Sequence, residues 1–139
     1  MRRKKIRIPF TECASQIPVV ELKIKGKKVI ALVDSGAEST LFDRDFVKSS
    51  GIETEAEDMK MSFVSTNGEG KSTQIIHVSP YVNGAFKLNG MVSNLQPISE
   101  HFAMIYGDRY RLSILLGSDN LDKYDAKLDY EKKEMILFV

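Results

Sequence analysis

The sequence predicts a mainly β domain with one or two short helices. Three observations carry that prediction. Val20, Leu22 and Ile24 alternate with Glu21, Lys23 and Lys25, the period of two that gives a strand one wet face and one dry face. Val29-Ile30-Ala31-Leu32-Val33 and Ile114-Leu115-Leu116 are short continuous apolar runs, each stopping near a glycine, as strands buried on both faces do. Asn67-Gly68, Asn83-Gly84 and Asn89-Gly90 repeat a dipeptide that favours tight hairpin turns.

Taken in order, residues 1–18 form a basic segment and a first strand, and residues 19–139 form the domain proper. Gly26-Lys27 turns the alternating strand into the run 29–33, making a hairpin. Asp43 followed by Phe46-Val47 and a stop at Gly51 has the cap and terminator of a short helix. Met59, Met61 and Phe63 alternate with polar residues, and strand composition resumes at Thr73 to Val78, so a second hairpin is expected with Asn67-Gly68-Glu69-Gly70 at its tip. Residues 79–95 read as further strands turning at Asn83-Gly84 and Asn89-Gly90. Pro97 can open a short helix that ends before Gly107. A strand at 113–116, a short helix at 118–124 and a closing strand pair at 126–130 and 134–139 complete the chain. The last four residues, Ile136-Leu137-Phe138-Val139, are all apolar and must pack inside or across an interface.

Composition narrows the function classes. Twenty basic and 19 acidic residues give a net charge of +1, too balanced for nucleic acid to be the main partner. A single cysteine, Cys13, rules out an internal disulfide framework and a Cys-rich zinc site. No stretch approaches the roughly 20 apolar residues that span a bilayer, and the basic opening Arg2-Arg3-Lys4-Lys5 lacks the apolar core of a signal peptide. The expected location is cytoplasmic, and a domain cut from a larger polyprotein would read the same way.

The chemistry concentrates behind the first apolar run, where Asp34-Ser35-Gly36-Ala37 delivers a carboxylate, a hydroxyl and a close-approach glycine to the end of a buried strand. With Ile114-Leu115-Leu116-Gly117 and the helix-like Ser118-Asp119-Asn120-Leu121, this segment resembles the retropepsin-like aspartic peptidases of retroviral, retroelement or bacterial type. The resemblance implies a single-lobe acid-protease β-barrel and hydrolysis of peptide bonds with no metal and no cofactor. One signature occurs where two-lobed relatives carry two, so a homodimer is expected, with one Asp34 from each copy. The resemblance assigns catalysis to Asp34, Ser35 and Gly36, and substrate contact to Ala37, Glu38 and a flap tip formed by Asn67, Gly68, Glu69 and Gly70. It implies a polypeptide substrate bound as an extended strand. Leu32, Val33, Leu115 and Leu116 are expected to support the catalytic loop from beneath. Viral members carry an arginine after the second glycine, to pair with the acidic residue that follows the signature; Ser118 stands there in this chain, leaving Glu38 without that partner.

Plainer readings compete. Asp-Ser-Gly is also a common turn, though five apolar residues before it argue for a buried strand end. Asp34-Ser35-Gly36-Ala37-Glu38-Ser39 matches a phosphodegron pattern, which needs a flexible exposed segment. Asp43 and Asp45, two apart on a helix, read as a cap and a solvated charge rather than a metal pair. His77 and His101 read as surface or hydrogen-bonded histidines, and Cys13 as a plain thiol. A noncatalytic dimerisation or peptide-binding domain on the same fold remains the alternative function.

Overall fold

A computed structural model describes residues 2–14, 17–59, 73–108 and 111–139. The expected flap tip, Asn67, Gly68, Glu69 and Gly70, lies outside the described residues, as does most of the alternation read over 59–66.

Strand β1 (Lys5–Ala14) pairs first with the last strand and then, past a register shift between Phe10 and Glu12, with β2 (Ile17–Ile24). β2 and β3 (Lys27–Val33) form the first hairpin. Its turn is Lys25-Gly26, one residue earlier than expected, with φ of 51° and 76°. Two left-handed residues match the twist of the flanking strands, and glycine takes one of them without strain. Val20, Leu22, Ile24, Val29, Ala31 and Val33 are buried, while Glu21 and Lys23 are wet.

β4 (Leu41–Asp43) leads into α1 (Arg44–Ser50). The Asp43 carboxylate accepts from Phe46 N at 3.4 Å and from Leu95 N at 3.0 Å, so it caps one helix and anchors the approach to another. Gly51 stops α1 at φ 71°. β5 (Thr54–Met59) and β6 (Thr73–Val78) pair antiparallel, with β5 starting in the polar stretch before the expected alternation. Its outer edge carries no neighbour among the described strands, and charged side chains suit such an edge. β7 (Tyr81–Val82) and β8 (Phe86–Lys87) turn at Asn83-Gly84 as expected.

Asn89-Gly90 does not turn. Gly90 opens β9 (Gly90–Ser93), and a Cβ there would stand 2.6 Å from the Phe42 ring and 2.8 Å from Thr40 O. This glycine is required by packing rather than by conformation.

Among the described residues three helices form, where one or two were expected. α2 (Gln96–Tyr106) starts with proline in its first turn and ends at Gly107. After β10 (Leu112–Leu116) comes α3 (Ser118–Lys123), then β11 (Lys127–Asp129) and β12 (Glu134–Phe138). Met135 and Leu137 are buried in the core of the chain itself, which accounts for the apolar ending.

Among the described residues ten strands pair in the order β11-β12-β1-β2-β3-β10-β4-β9-β6-β5. The mainly β class holds; among the described residues no pairing joins β11 to β5, so the sheet is not seen to close into a barrel. β10 is parallel to β3 and antiparallel to β4, wedged between two strands that are near neighbours in sequence. All five of its residues are buried, the reason its sequence is a continuous apolar run. Among the described residues no helix is long and apolar enough to cross a membrane.

Candidate active site

The parallel pair β3 and β10 ends with two loops side by side. Asp34 N–H donates to Leu116 O at 2.9 Å, which carries the pairing one residue past β3. Ala37 N–H then turns back to Asp34 O at 3.1 Å, and Ser118 N–H donates to Ala37 O at 2.7 Å. At Gly117 a Cβ would lie 2.8 Å from the carbonyl oxygens of Ala37 and Ser39, so only glycine lets the loops approach this closely.

Within the first loop, Gly36 N–H donates to the Asp34 carboxylate at 3.0 Å. A Cβ on Gly36 would stand 3.2 Å from the same oxygen. Asp34 is half-buried, Ser35 and Gly36 are exposed, Ala37 is half-buried and Glu38 is exposed. One carboxylate oxygen is thus held from behind while the group stays open to solvent in front. Glu38 belongs to none of the ion pairs found among the described residues.

A buried polar lattice behind the loops went unread in the sequence. Thr40, with no exposed surface, donates its hydroxyl to Asp119 Oδ1 at 2.6 Å. Thr40 Oγ1 in turn accepts from Gly117 N at 3.0 Å and from Asn120 Nδ2 at 2.7 Å, filling the one donor and two acceptor places a hydroxyl has. Asp119 Oδ2 takes Thr40 N–H at 3.0 Å. Asn120, buried, also donates to Asn89 O at 2.7 Å and accepts from Asn89 N at 3.2 Å, tying in the start of β9. Thr40, Asn89, Asp119 and Asn120 therefore weld the two loops and a third segment together. Their only sequence signal was polar residues set against apolar runs at both loops.

Strand register defines the surface beside Asp34. Leu32 is level with Leu115, Leu115 with Leu41, Leu41 with Met91, and Met91 with His77. Opposed residues share a face of the sheet. Leu32, Leu41 and Met91 are half-buried, and Leu32 precedes Asp34 by two, which puts this apolar row on the face that leads to the carboxylate. The expectation that Leu32, Val33, Leu115 and Leu116 all lie buried beneath the loop is corrected for Leu32 alone. Val33, Leu115 and Leu116 are buried, at 3%, 7% and 2% exposure, with Leu115 between Leu32 and Leu41 in the row, whereas Leu32 is half-buried. At its far end the His77 ring meets Glu57 at 2.7 Å.

The remaining sequence candidates sit apart from this site. Asp43 is a helix cap and Asp45 faces Arg111 at 3.6 Å. His101 is exposed on α2. Among the described residues no three His, Cys, Asp or Glu side chains converge as metal ligands would.

Known proteins resemble this chain in sequence and fold. A family model described as aspartyl protease matches residues 20–119. DNA damage-inducible protein 1 of Neurospora crassa is 28% identical over 118 residues, which is 85% of this chain and 24% of that protein, so the chain spans about a quarter of its relative's length. A retropepsin-like aspartic protease from Rickettsia conorii superposes with a TM-score of 0.52 at 17% identity, over 96% of this chain and 89% of the other. The retroviral protease-like domain of Ddi1 from Leishmania major gives 0.53 at 16% identity, over 93% and 95%. At such identities the structural likeness speaks for the fold, and the family match spans both loops: the chain belongs to the aspartyl protease family, and its fold is retropepsin-like.

Proposed function

We propose that the protein is an aspartic endopeptidase that works as a homodimer, with a water molecule held between two Asp34 carboxylates, one from each copy. The observation that carries this reading is the single Asp34, open to solvent in front and held by Gly36 N–H behind, at the meeting of the two loops.

Amide hydrolysis needs a base for the water and an acid for the carbonyl oxygen at the same moment. Two carboxylates sharing one proton supply both, because close like charges resist joint ionisation. The ionised Asp34 takes a proton as the water oxygen attacks the carbonyl carbon, and the protonated one donates to the carbonyl oxygen. Collapse of the resulting diol breaks the C–N bond, and the leaving nitrogen takes a proton from the pair. Ser35 buttresses the dyad across the two-fold axis, as family resemblance implies. Ala37 and Glu38 bind the substrate backbone, and Asn67, Gly68, Glu69 and Gly70 form the tip of a covering hairpin. The row Leu32, Leu115, Leu41 and Met91 supplies an apolar floor, so apolar side chains are preferred next to the cut.

The test is digestion of an unfolded peptide mixture between about pH 3 and 8, read by mass spectrometry, with Asp34→Asn as the comparison. Cleavage lowered at least about a thousandfold in the variant, with an unchanged melting temperature, supports the dyad. A folded, dimeric native protein that cuts nothing returns the reading to a noncatalytic peptide-binding or dimerisation domain.

A further inference from the structure

Helix α2 turns an apolar face to solvent. Seven large apolar side chains are exposed among the described residues, and three of them, Ile98, Met104 and Ile105, are on α2, at 37%, 84% and 56%. The other four are scattered: Ile17 on β2, Ile76 on β6, Tyr81 on β7, and Tyr130 after β11, where its ring meets Phe10. Single exposed residues are ordinary, whereas a cluster marks a contact surface. Residues three, four or seven apart share one side of a helix, so Ile98, His101 and Ile105 align, with Pro97 and Met104 alongside them. All five are exposed. The packed side of α2 is a different one, carried by Phe102, its one buried residue, and by Ser99, whose hydroxyl takes Leu112 N–H at 3.2 Å.

Charge narrows what such a face can meet. The flank of α2 that carries Gln96, Glu100 and Ala103 borders a cleft of about 370 Å³, which Asp43, Asp45, Asp108 and Arg111 also line. Four carboxylates therefore share it with one guanidinium. Asp43 is committed to Phe46 N and Leu95 N, and Arg111 stands 3.6 Å from Asp45. Glu100 and Asp108 belong to none of the ion pairs found among the described residues. Arg109 lies outside the described residues, and even if counted here it leaves carboxylates in a two-to-one majority. The occupant that fits is apolar along a narrow stripe and basic beside it. A second copy of this chain fits badly, because pairing two α2 faces gathers two acidic clefts about one axis, where like charge opposes them. An anionic lipid surface is opposed by the same charge.

We propose that α2 is a docking face for a basic amphipathic helix of another protein. The apolar stripe of that helix covers Ile98, Met104 and Ile105, and its lysine or arginine side chains reach Glu100 and Asp108. The face stands away from the signature loop: α2 packs at the start of β10, Asp34 is bonded at its end, and the five residues between span about 16 Å. A partner held there leaves Asp34 open, so docking and peptide cleavage are separable.

Fluorescence anisotropy tests this with a labelled helical peptide of leucine and lysine, its leucines three and four apart, and with the same peptide carrying glutamate for lysine. The native protein is expected to bind the lysine peptide at least about tenfold more tightly than the glutamate peptide. Met104→Ser combined with Ile105→Ser weakens that binding at least about tenfold, and Glu100→Gln combined with Asp108→Asn removes the difference between the two peptides. Tyr81→Ser, at an exposed residue elsewhere, leaves both affinities unchanged. Every variant changes exposed side chains only, and an unchanged melting temperature verifies the fold. A native protein that binds neither peptide, or binding that no α2 variant weakens, overturns the proposal. So does a native dimer in sedimentation that Met104→Ser with Ile105→Ser dissolves, which gives the face to a second copy. Binding to phosphatidylcholine vesicles that the same double variant abolishes, with no peptide bound, overturns it in favour of a membrane surface.

Discussion

Replacing Thr40 by valine keeps the side chain's branching and removes one hydroxyl, on which three hydrogen bonds converge. Asn120 Nδ2 retains Asn89 O as an acceptor, and Asp119, exposed, turns to water. Gly117 N–H has no such recourse, since it is buried at the end of β10. A buried donor left without an acceptor costs about 1–3 kcal/mol, and the lost bonds to Asp119 and Asn120 add about 1 more. The expected loss is therefore about 3 kcal/mol, or about 10 °C in melting temperature for a domain of this size. Thr40→Ser keeps the hydroxyl and gives up one methyl, so it should cost only about 1 kcal/mol. Urea and thermal unfolding of the three proteins make the comparison. If Thr40→Val is as stable as Thr40→Ser, the hydroxyl is not what joins the loops and the account of the lattice fails.

Two further substitutions follow from single contacts. Gly90→Ala drives a methyl into the Phe42 ring and Thr40 O, and should lower stability by about 1–3 kcal/mol, read as a lower urea midpoint at unchanged slope. Asp43→Ala removes the cap of α1 and the acceptor for Leu95 N, for about 2 kcal/mol. Its signature is faster hydrogen exchange at the Leu95 amide, with Asp43→Asn recovering most of the protection.

Features set by near neighbours were legible in the sequence. The first hairpin, α1 with its Asp43 cap and Gly51 stop, the proline-led α2 and the closing strands all depend on residues within a few positions of each other. What failed depends on partners far along the chain. Gly90 looked like half of a turn because the Phe42 ring that requires it is distant in sequence. Leu32 looked like pure support because a continuous apolar run does not reveal which members face the core. Thr40 was passed over since its three side-chain partners lie 77 to 80 positions away. The signature itself was readable; the lattice that fixes its loop was not.

The wedging of β10 between β3 and β4 also sets an order of events during synthesis. β3 and β4 leave the ribosome early, yet they do not pair with each other, and each waits for the same late strand. Until residues 112–120 have emerged, the signature loop lacks its Leu116 and Ser118 anchors, and Thr40 lacks every side-chain partner described here. Long-range closures of this kind come late and slowly in folding. A nascent or truncated chain therefore carries the signature residues without the contacts that hold their loop in place.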